Sequence, residues 1–195
     1  ARAEELGAEV ATSSSLDVSS VSLSALKTNL RESLELWSTV IREPRFEEAE
    51  LERLRDQVVA NIAQEKSRPR SIGLRLLPPA MYGDGHAYGI PLTGSGTEAA
   101  VAAIDRDDLL GFHRAWIRPS TGTIFIVGDT TVDEIKPLLD STIGRWADTR
   151  MAVPRKNIAD VSRPESARVI IVDRPGSPQS YIIAGHVVPP PSADN

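Results

Sequence analysis

The pattern of apolar and polar residues predicts two long amphipathic helices in the first third of the chain. The first runs from about Thr28 to just before Pro44, and the second from about Phe46 to Lys66. On one face of each, apolar residues recur every three or four positions, which is the spacing of an α-helix. These residues are Leu30, Leu34, Trp37 and Ile41 in the first helix and Leu51, Leu54, Val58 and Ile62 in the second. Pro69 ends the second helix, because proline has no backbone N–H to continue it.

Further helices are predicted by local signals along the rest of the chain. The stretch "RSIGLRLLPPAMYG" has a helical pattern that Pro78 and Pro79 are expected to break or kink. Two short helices follow in "TEAAVAAI" and "DRDDLLGFHRAWI", the second with Asp105 as its N-cap. Thr131 and Glu134 have the spacing of a capping box, which predicts that one more helix begins there.

Three segments have the pattern of β-strands. Alternating small polar and apolar residues in "AEVATSSSLDVSSVSLSAL" predict two strands with a turn near residues 15–17. "GTIFIVGD" predicts a buried strand, and "RVIIVDRPGSPQSYIIAGH" predicts two strands around a turn. Because strands and helices do not alternate regularly, we expect an α+β fold with a mixed, mostly antiparallel sheet and helices packed on one face.

The apolar positions and the linker composition predict the domain organisation. Residues 1–147 are expected to form one α+β domain, and the Pro-rich, charged residues 148–167 a linker. Residues 168–195 are expected to open a following, incomplete domain. A single core is predicted from Leu30, Leu34, Trp37, Leu54, Val58, Ile62, Leu109, Phe112, Ile124, Ile126 and Leu138.

Composition and charge argue against several classes of function. The net charge of −5 and the scattered basic residues argue against a nucleic-acid partner. No apolar run approaches the roughly 20 residues that span a bilayer, so membrane insertion is not expected. The absence of cysteine excludes disulfides and thiolate metal sites. It fits a bacterial periplasm or cytoplasm, and the periplasm is slightly favoured.

The residues alone reveal no catalytic site. His86, His113 and His186 lack any partner at the spacing of a metal-binding motif. For His113 a packed or surface position is favoured, and for His86 a turn in a Gly-rich loop. "GSGTE" could present backbone N–H groups to an anion, but a Gly-rich entry into a helix explains it better.

Taken together, residues 15–69, residues 82–129 and the closing "IGRW" resemble the pitrilysin/insulinase family of zinc metallopeptidases. The resemblance covers residues 1–147, and residues 168–186 resemble the opening hairpin of the next domain in that family. It implies a repeated α+β domain, with pairs of domains enclosing a chamber in which peptides are cleaved. An active domain carries His-x-x-Glu-His, which would precede Ala1 here.

The resemblance also implies what the second long helix carries. The family takes its third zinc ligand from a glutamate eight residues before a proline, and that position is Asn61 here. The supporting acidic position, seven residues earlier, is Leu54. Neither residue suits zinc, so no zinc is expected in this segment, and zinc is expected in the catalytic half of the parent. A shift of one turn would instead place Gln57 or Glu65 at the ligand position.

Three functions remain open at this point. The first is a non-catalytic domain that completes the chamber and helps to bind extended peptides, with the catalytic domain or subunit as partner. Its candidate substrate-binding residues are Thr12, Ser13 and Ser14, whose small side chains would leave a strand edge accessible. The second is an active zinc metalloendopeptidase whose motif lies upstream. The third is a structural interaction module of the same fold.

Overall fold

The computed structural model describes residues 2–149, 151–155 and 158–188. Seven helices and two strands are assigned in these residues, together with three short 3-10 turns. In chain order they are α1 (Arg2–Glu5), β1 (Glu9–Ser14), β2 (Ser19–Ser24), α2 (Leu30–Arg42), α3 (Glu48–Ser67), α4 (Pro69–Tyr82), α5 (Glu98–Ala103), α6 (Arg106–Trp116) and α7 (Val132–Ser141). The α+β class is confirmed as a helix-rich fold with a small antiparallel sheet. No helix in the described part of the chain is long and apolar enough to cross a membrane.

The predicted N-terminal signals of two helices are confirmed. Asp105 and Asp108 form a reciprocal capping box at the start of α6, and Thr131 and Glu134 form another at the start of α7. In each box the first side chain accepts a hydrogen bond from the backbone N–H three residues later. Such caps satisfy N–H groups that have no partner within the helix, so they fix where the helix begins.

The chain divides into two compact units, Ala1–Leu51 with Ile104–Arg155, and Glu52–Ala103 with Lys156–Asn195. The core of the first unit is built from Leu34 and Trp37 of α2 and Ile135 of α7. Partly buried side chains of the strands, the two helices and the turn after α7 pack against it, namely Val10, Val21, Leu23, Leu30, Ile41, Leu138, Leu139 and Ile143. The amphipathic face predicted for α2 is therefore the face that packs.

The prediction of a single core is wrong. Ile62 is completely buried, but it belongs to the second unit. Several other expected core residues are exposed, namely Leu54, Phe112, Ile124 and Ile126. An apolar face is buried only where another surface covers it, and the described residues cover α3 around Ile62 but not around Leu54.

The prediction of a buried strand at residues 122–129 is also wrong. The segment is neither strand nor helix, and Phe125 and Val127 are 88% and 99% exposed. A strand needs a neighbour to pair its backbone groups, and in the described residues the one ladder joins β1 to β2. A run of β-branched and aromatic residues shows that a segment could pair in a sheet, but pairing also requires a partner strand.

In the second unit, α4 continues through Pro78 and Pro79 to Tyr82, so of the predicted break or kink the break does not occur. A proline at position 78 cannot donate to the carbonyl oxygen of Leu74, four residues earlier. The backbone N–H of Leu92 donates to that oxygen instead, over 3.0 Å. The loop after α4 thereby satisfies an acceptor that the proline leaves free, and the helix persists.

Residues 168–188 contain no assigned strand, and they pack in part against α4. A Cβ atom at Gly73 would lie 2.3 Å from Cδ1 of Ile183, so a glycine is needed for this close approach. A turn at residues 174–177 is closed by a hydrogen bond from the N–H of Ser177 to the carbonyl oxygen of Arg174. Val169 and Ile171 remain more than four-fifths exposed. The expected division into residues 1–147, 148–167 and 168–195 stays a prediction.

Candidate functional site

Helix α3 places Asn61 and Leu54 on its exposed surface. Because they are seven residues apart, about two helical turns, they lie on nearly the same face. Leu54 is 47% exposed although it is apolar. A neutral amide and a leucine therefore occupy the positions where the family resemblance expects carboxylates.

Glu65, the carboxylate one turn further along α3, is bound in a hydrogen-bonded network. Its Oε2 accepts from Nη1 of Arg75 and from Oγ of Ser95, each over 2.7 Å. Arg75 also donates to Oγ of Ser95 over 2.8 Å and, through Nη2, to the carbonyl oxygen of Gly96 over 2.6 Å. This network, the Glu65–Arg75–Ser95 cluster, fixes the Gly-rich loop at residues 93–96 to α3 and α4.

The cluster is mostly shielded from water, since the side chains of Arg75 and Glu65 are 10% and 20% exposed. Burial by itself would raise the pKa of Glu65. Hydrogen bonds from Ser95, Arg75 and Thr93, together with the positive charge of Arg75, outweigh burial and hold the pKa below its ordinary value. Glu65 is therefore an ionised carboxylate that already has a cationic partner.

These residues do not fit a zinc site. A metal would have to displace Arg75 from Glu65 and leave a guanidinium with little access to water and no counter-charge. Gln57, the other residue considered for the ligand position, is a neutral amide whose Oε1 accepts from Arg53 over 3.4 Å. Within the described residues, no group of three His, Asp or Glu side chains is arranged to hold a metal ion.

The register of the β1–β2 hairpin identifies the backbone groups on its outer edges. The N–H of Ser15 donates to the carbonyl oxygen of Val18 over 2.8 Å, so these two residues form a hydrogen-bonded pair beside the turn. Hydrogen-bonded and non-hydrogen-bonded pairs alternate along an antiparallel ladder. Thr12, which lies opposite Val21, therefore belongs to a non-hydrogen-bonded pair and directs its N–H and C=O away from β2.

A second contact supports the same register. Nε1 of Trp37 donates to the carbonyl oxygen of Val21 over 2.9 Å, which requires that oxygen to point away from β1. The outer edge of β2 is thus occupied at Val21. On β1 the backbone groups of Val10, Thr12 and Ser14 point outward, and among the described residues no strand pairs with them.

The side chains near this edge are small. Ser13 and Ser20 join their hydroxyl groups over 2.8 Å, and Ser14 and Ser19 over 2.5 Å. These pairs keep the hydroxyls within the hairpin. The structure therefore gathers the predicted residues Thr12, Ser13 and Ser14 on one strand, but only Thr12 and Ser14 present their backbone to the open edge.

The histidines make contacts of a structural kind. Nδ1 of His86 accepts from the N–H of Tyr88 over 3.0 Å, so Nε2 carries the proton and donates to the carbonyl oxygen of Ala159. Nε2 of His113 hydrogen-bonds the carbonyl oxygen of Ile41 over 2.7 Å. His113 is partly buried, which agrees with the packed or surface position expected for it, and His86 lies in the Gly-rich loop after α4.

Two domain models of one peptidase family match the chain. Residues 1–95 match insulinase, peptidase family M16, and residues 103–195 match the peptidase M16 inactive domain. The two ranges belong to one family and together include nearly every residue. The chain is therefore a member of the insulinase family of peptidases, and its second half matches the inactive domain of that family. No curated protein matches the sequence.

Solved structures share the fold. A peptidase M16 inactive domain from Pseudomonas fluorescens superposes with a TM-score of 0.71 at 23% identity, covering 83% of this chain. A protease from Helicobacter pylori superposes with a TM-score of 0.70 at 18% identity, covering 80% of this chain. This chain spans 38% of the length of each. At such low identity the likeness establishes the fold, and it does not transfer an activity.

Proposed function

We propose that this chain is a non-catalytic domain of an insulinase-like zinc peptidase, which completes the proteolytic chamber and helps to hold an extended peptide. The observation that carries the proposal is the absence of a free carboxylate on α3 where the family resemblance expects a zinc ligand. Asn61 stands at the expected ligand position, and the nearby carboxylate of Glu65 is neutralised by Arg75. None of the three residues considered for the ligand position, Asn61, Gln57 and Glu65, offers a free carboxylate to zinc.

The open edge of β1 supports the peptide-binding part of the proposal. A peptide that adds as a strand obtains its affinity from main-chain hydrogen bonds, which tolerate many sequences. Val10, Thr12 and Ser14 offer alternate backbone donors and acceptors at the spacing that such a strand requires. Small side chains on this hairpin leave room for the approach of a second backbone.

The zinc and the water-activating glutamate belong, in this proposal, to a catalytic domain or subunit that acts as the partner. The active-peptidase alternative requires one register of α3 to supply a carboxylate ligand, and the pairing of Glu65 disfavours it. Titration of the chain with labelled peptides, with cleavage followed in the same samples, tests the proposal. A purely structural module of the same fold would bind no peptide.

A further inference from the structure

A cavity of about 490 Å³ lies in the second unit, between the start of α4 and the turn at residues 174–181. Three arginines line it, Arg68 and Arg70 from the chain around the start of α4 and Arg174 from the turn. Ser180 and Tyr181 add hydroxyl groups to the wall, and Pro178 adds a rigid apolar surface. This arginine cavity is separate from the residues of α3 and β1 considered above.

The three arginines are exposed, and among the described residues no acidic side chain forms an ion pair with any of them, although the chain as a whole carries a net charge of −5. Two arginines that are shielded from water do have acidic partners, since Arg75 pairs with Glu65 and Arg118 pairs with Asp148. Three like charges around one cavity repel one another, and an anion bound among them would relieve that repulsion.

The mixture of groups indicates the class of anion. Guanidinium groups bind carboxylates through paired, charge-assisted hydrogen bonds, and the hydroxyls of Ser180 and Tyr181 can donate further ones. The rings of Pro178 and Tyr181 offer apolar contact to an aliphatic side-chain stem. We propose that the arginine cavity binds an acidic segment of a peptide substrate through its carboxylates. This inference rests on the proposed peptide-binding function and names the substrate class.

The test compares three short fluorescein-labelled peptides by anisotropy with the 195-residue chain. One is rich in glutamate with an amidated C-terminus, the second replaces each glutamate with glutamine, and the third is the glutamine peptide with a free C-terminal carboxylate. We expect the glutamate peptide to bind about tenfold more tightly than the amidated glutamine peptide. If instead only the third peptide bound more tightly than the amidated glutamine peptide, the cavity would bind a C-terminal carboxylate. The proposed role of acidic side chains would then be overturned.

Arg174→Gln and the double variant Arg68→Gln/Arg70→Gln should each remove most of the preference for glutamate. Arg163→Gln removes the same charge from an exposed residue that does not line the cavity, and it should leave the preference unchanged. Unchanged thermal melts would verify that the variants are folded. Equal affinity of the glutamate and amidated glutamine peptides, or an equal loss in Arg163→Gln, would overturn the inference.

The outcomes separate this inference from the proposed function. Binding of the amidated glutamine peptide without any preference for glutamate would leave the strand-edge proposal standing and refute the arginine cavity. If binding of the glutamate peptide depended on Arg174 but not on the edge of β1, the arginine cavity would stand and the strand-edge proposal would be refuted. Failure of all three peptides to bind would refute both.

Discussion

The indole Nε1 of Trp37 donates to the carbonyl oxygen of Val21 over 2.9 Å, and this bond makes the two edges of the hairpin unequal. On β2 an outward acceptor is occupied, whereas on β1 the outward groups of Thr12 and Ser14 have no strand partner among the described residues. The same indole is 8% exposed and belongs to the core of the first unit. Trp37 therefore both packs in the core and occupies an outward acceptor of β2, so that β1 carries the open edge of the hairpin.

Replacing Trp37 with alanine should reduce the free energy of unfolding by about 3–5 kcal/mol, because a large buried ring is lost and a cavity remains. Trp37→Phe is the matched control. It keeps most of the apolar volume but leaves the oxygen of Val21 without its donor, and it should cost less, about 1–3 kcal/mol. Denaturant melts measure both values. A loss below about 1 kcal/mol for Trp37→Ala would mean that α2 does not pack on the sheet through this residue.

Replacing Glu65 with glutamine should destabilise the chain by about 1–3 kcal/mol near neutral pH, because Arg75 loses its counter-charge. The folded-state pKa of Glu65 lies below the ordinary value of 4.5, so its stabilising contribution is complete above that value and is lost as the pH falls through the folded pKa. The difference in unfolding free energy between the wild type and Glu65→Gln should therefore be constant above about pH 6 and shrink below pH 4.5. A difference that persists unchanged in acid would contradict the ion pair.

Proline substitutions test which backbone N–H groups of β1 point outward and which pair with β2. Thr12→Pro removes an outward N–H, so it should weaken peptide binding while the unfolding transition stays cooperative. Ser13→Pro is the control, since Ser13 faces Ser20 in a hydrogen-bonded pair of the ladder. It should cost about 1 kcal/mol or more of stability. If Thr12→Pro destabilised the chain as much as Ser13→Pro, the register of the hairpin would be wrong.

Calorimetric titration of metal-free chain with zinc should reveal no tight site, because Asn61 supplies no charge and Glu65 is paired with Arg75. Arg75→Met is an informative companion variant, since it releases the carboxylate of Glu65 and should strengthen any residual binding. A stoichiometric site of submicromolar affinity in the wild type, about −8 kcal/mol or more favourable, would favour the active-peptidase alternative.

The elements that depend on nearby residues could be predicted from the sequence. The spacing of Leu34 and Trp37 correctly indicated the buried face of α2, because the helical period alone decides which residues share a face. The caps at Asp105 and Thr131 were found for a similar reason, since a capping box spans four residues. In these cases the physical cause lies within one or two turns of the chain.

The features that depend on distant residues could not be predicted in this way. The Glu65–Arg75–Ser95 cluster joins residues as far as 30 positions apart, and no local pattern distinguishes Glu65 from other surface glutamates. The segment at residues 122–129 is rich in residues that favour strands, but no described strand pairs with it. The sequence of the segment alone does not show whether a partner strand is present. Resemblance to a family supplied the ligand position at Asn61, because periodicity alone gives no reason to examine it.

The most direct measurement of the central claim follows binding and cleavage of one labelled extended peptide in the same samples, with zinc added and with a chelator. We expect an anisotropy increase that saturates, no cleavage products by mass spectrometry under either condition, and weaker binding for Thr12→Pro. Cleavage in zinc that the chelator abolishes would contradict the claim and identify the chain as an active peptidase. No binding at millimolar peptide, equivalent to less than about 4 kcal/mol of affinity, would contradict the peptide-holding role and leave a structural one.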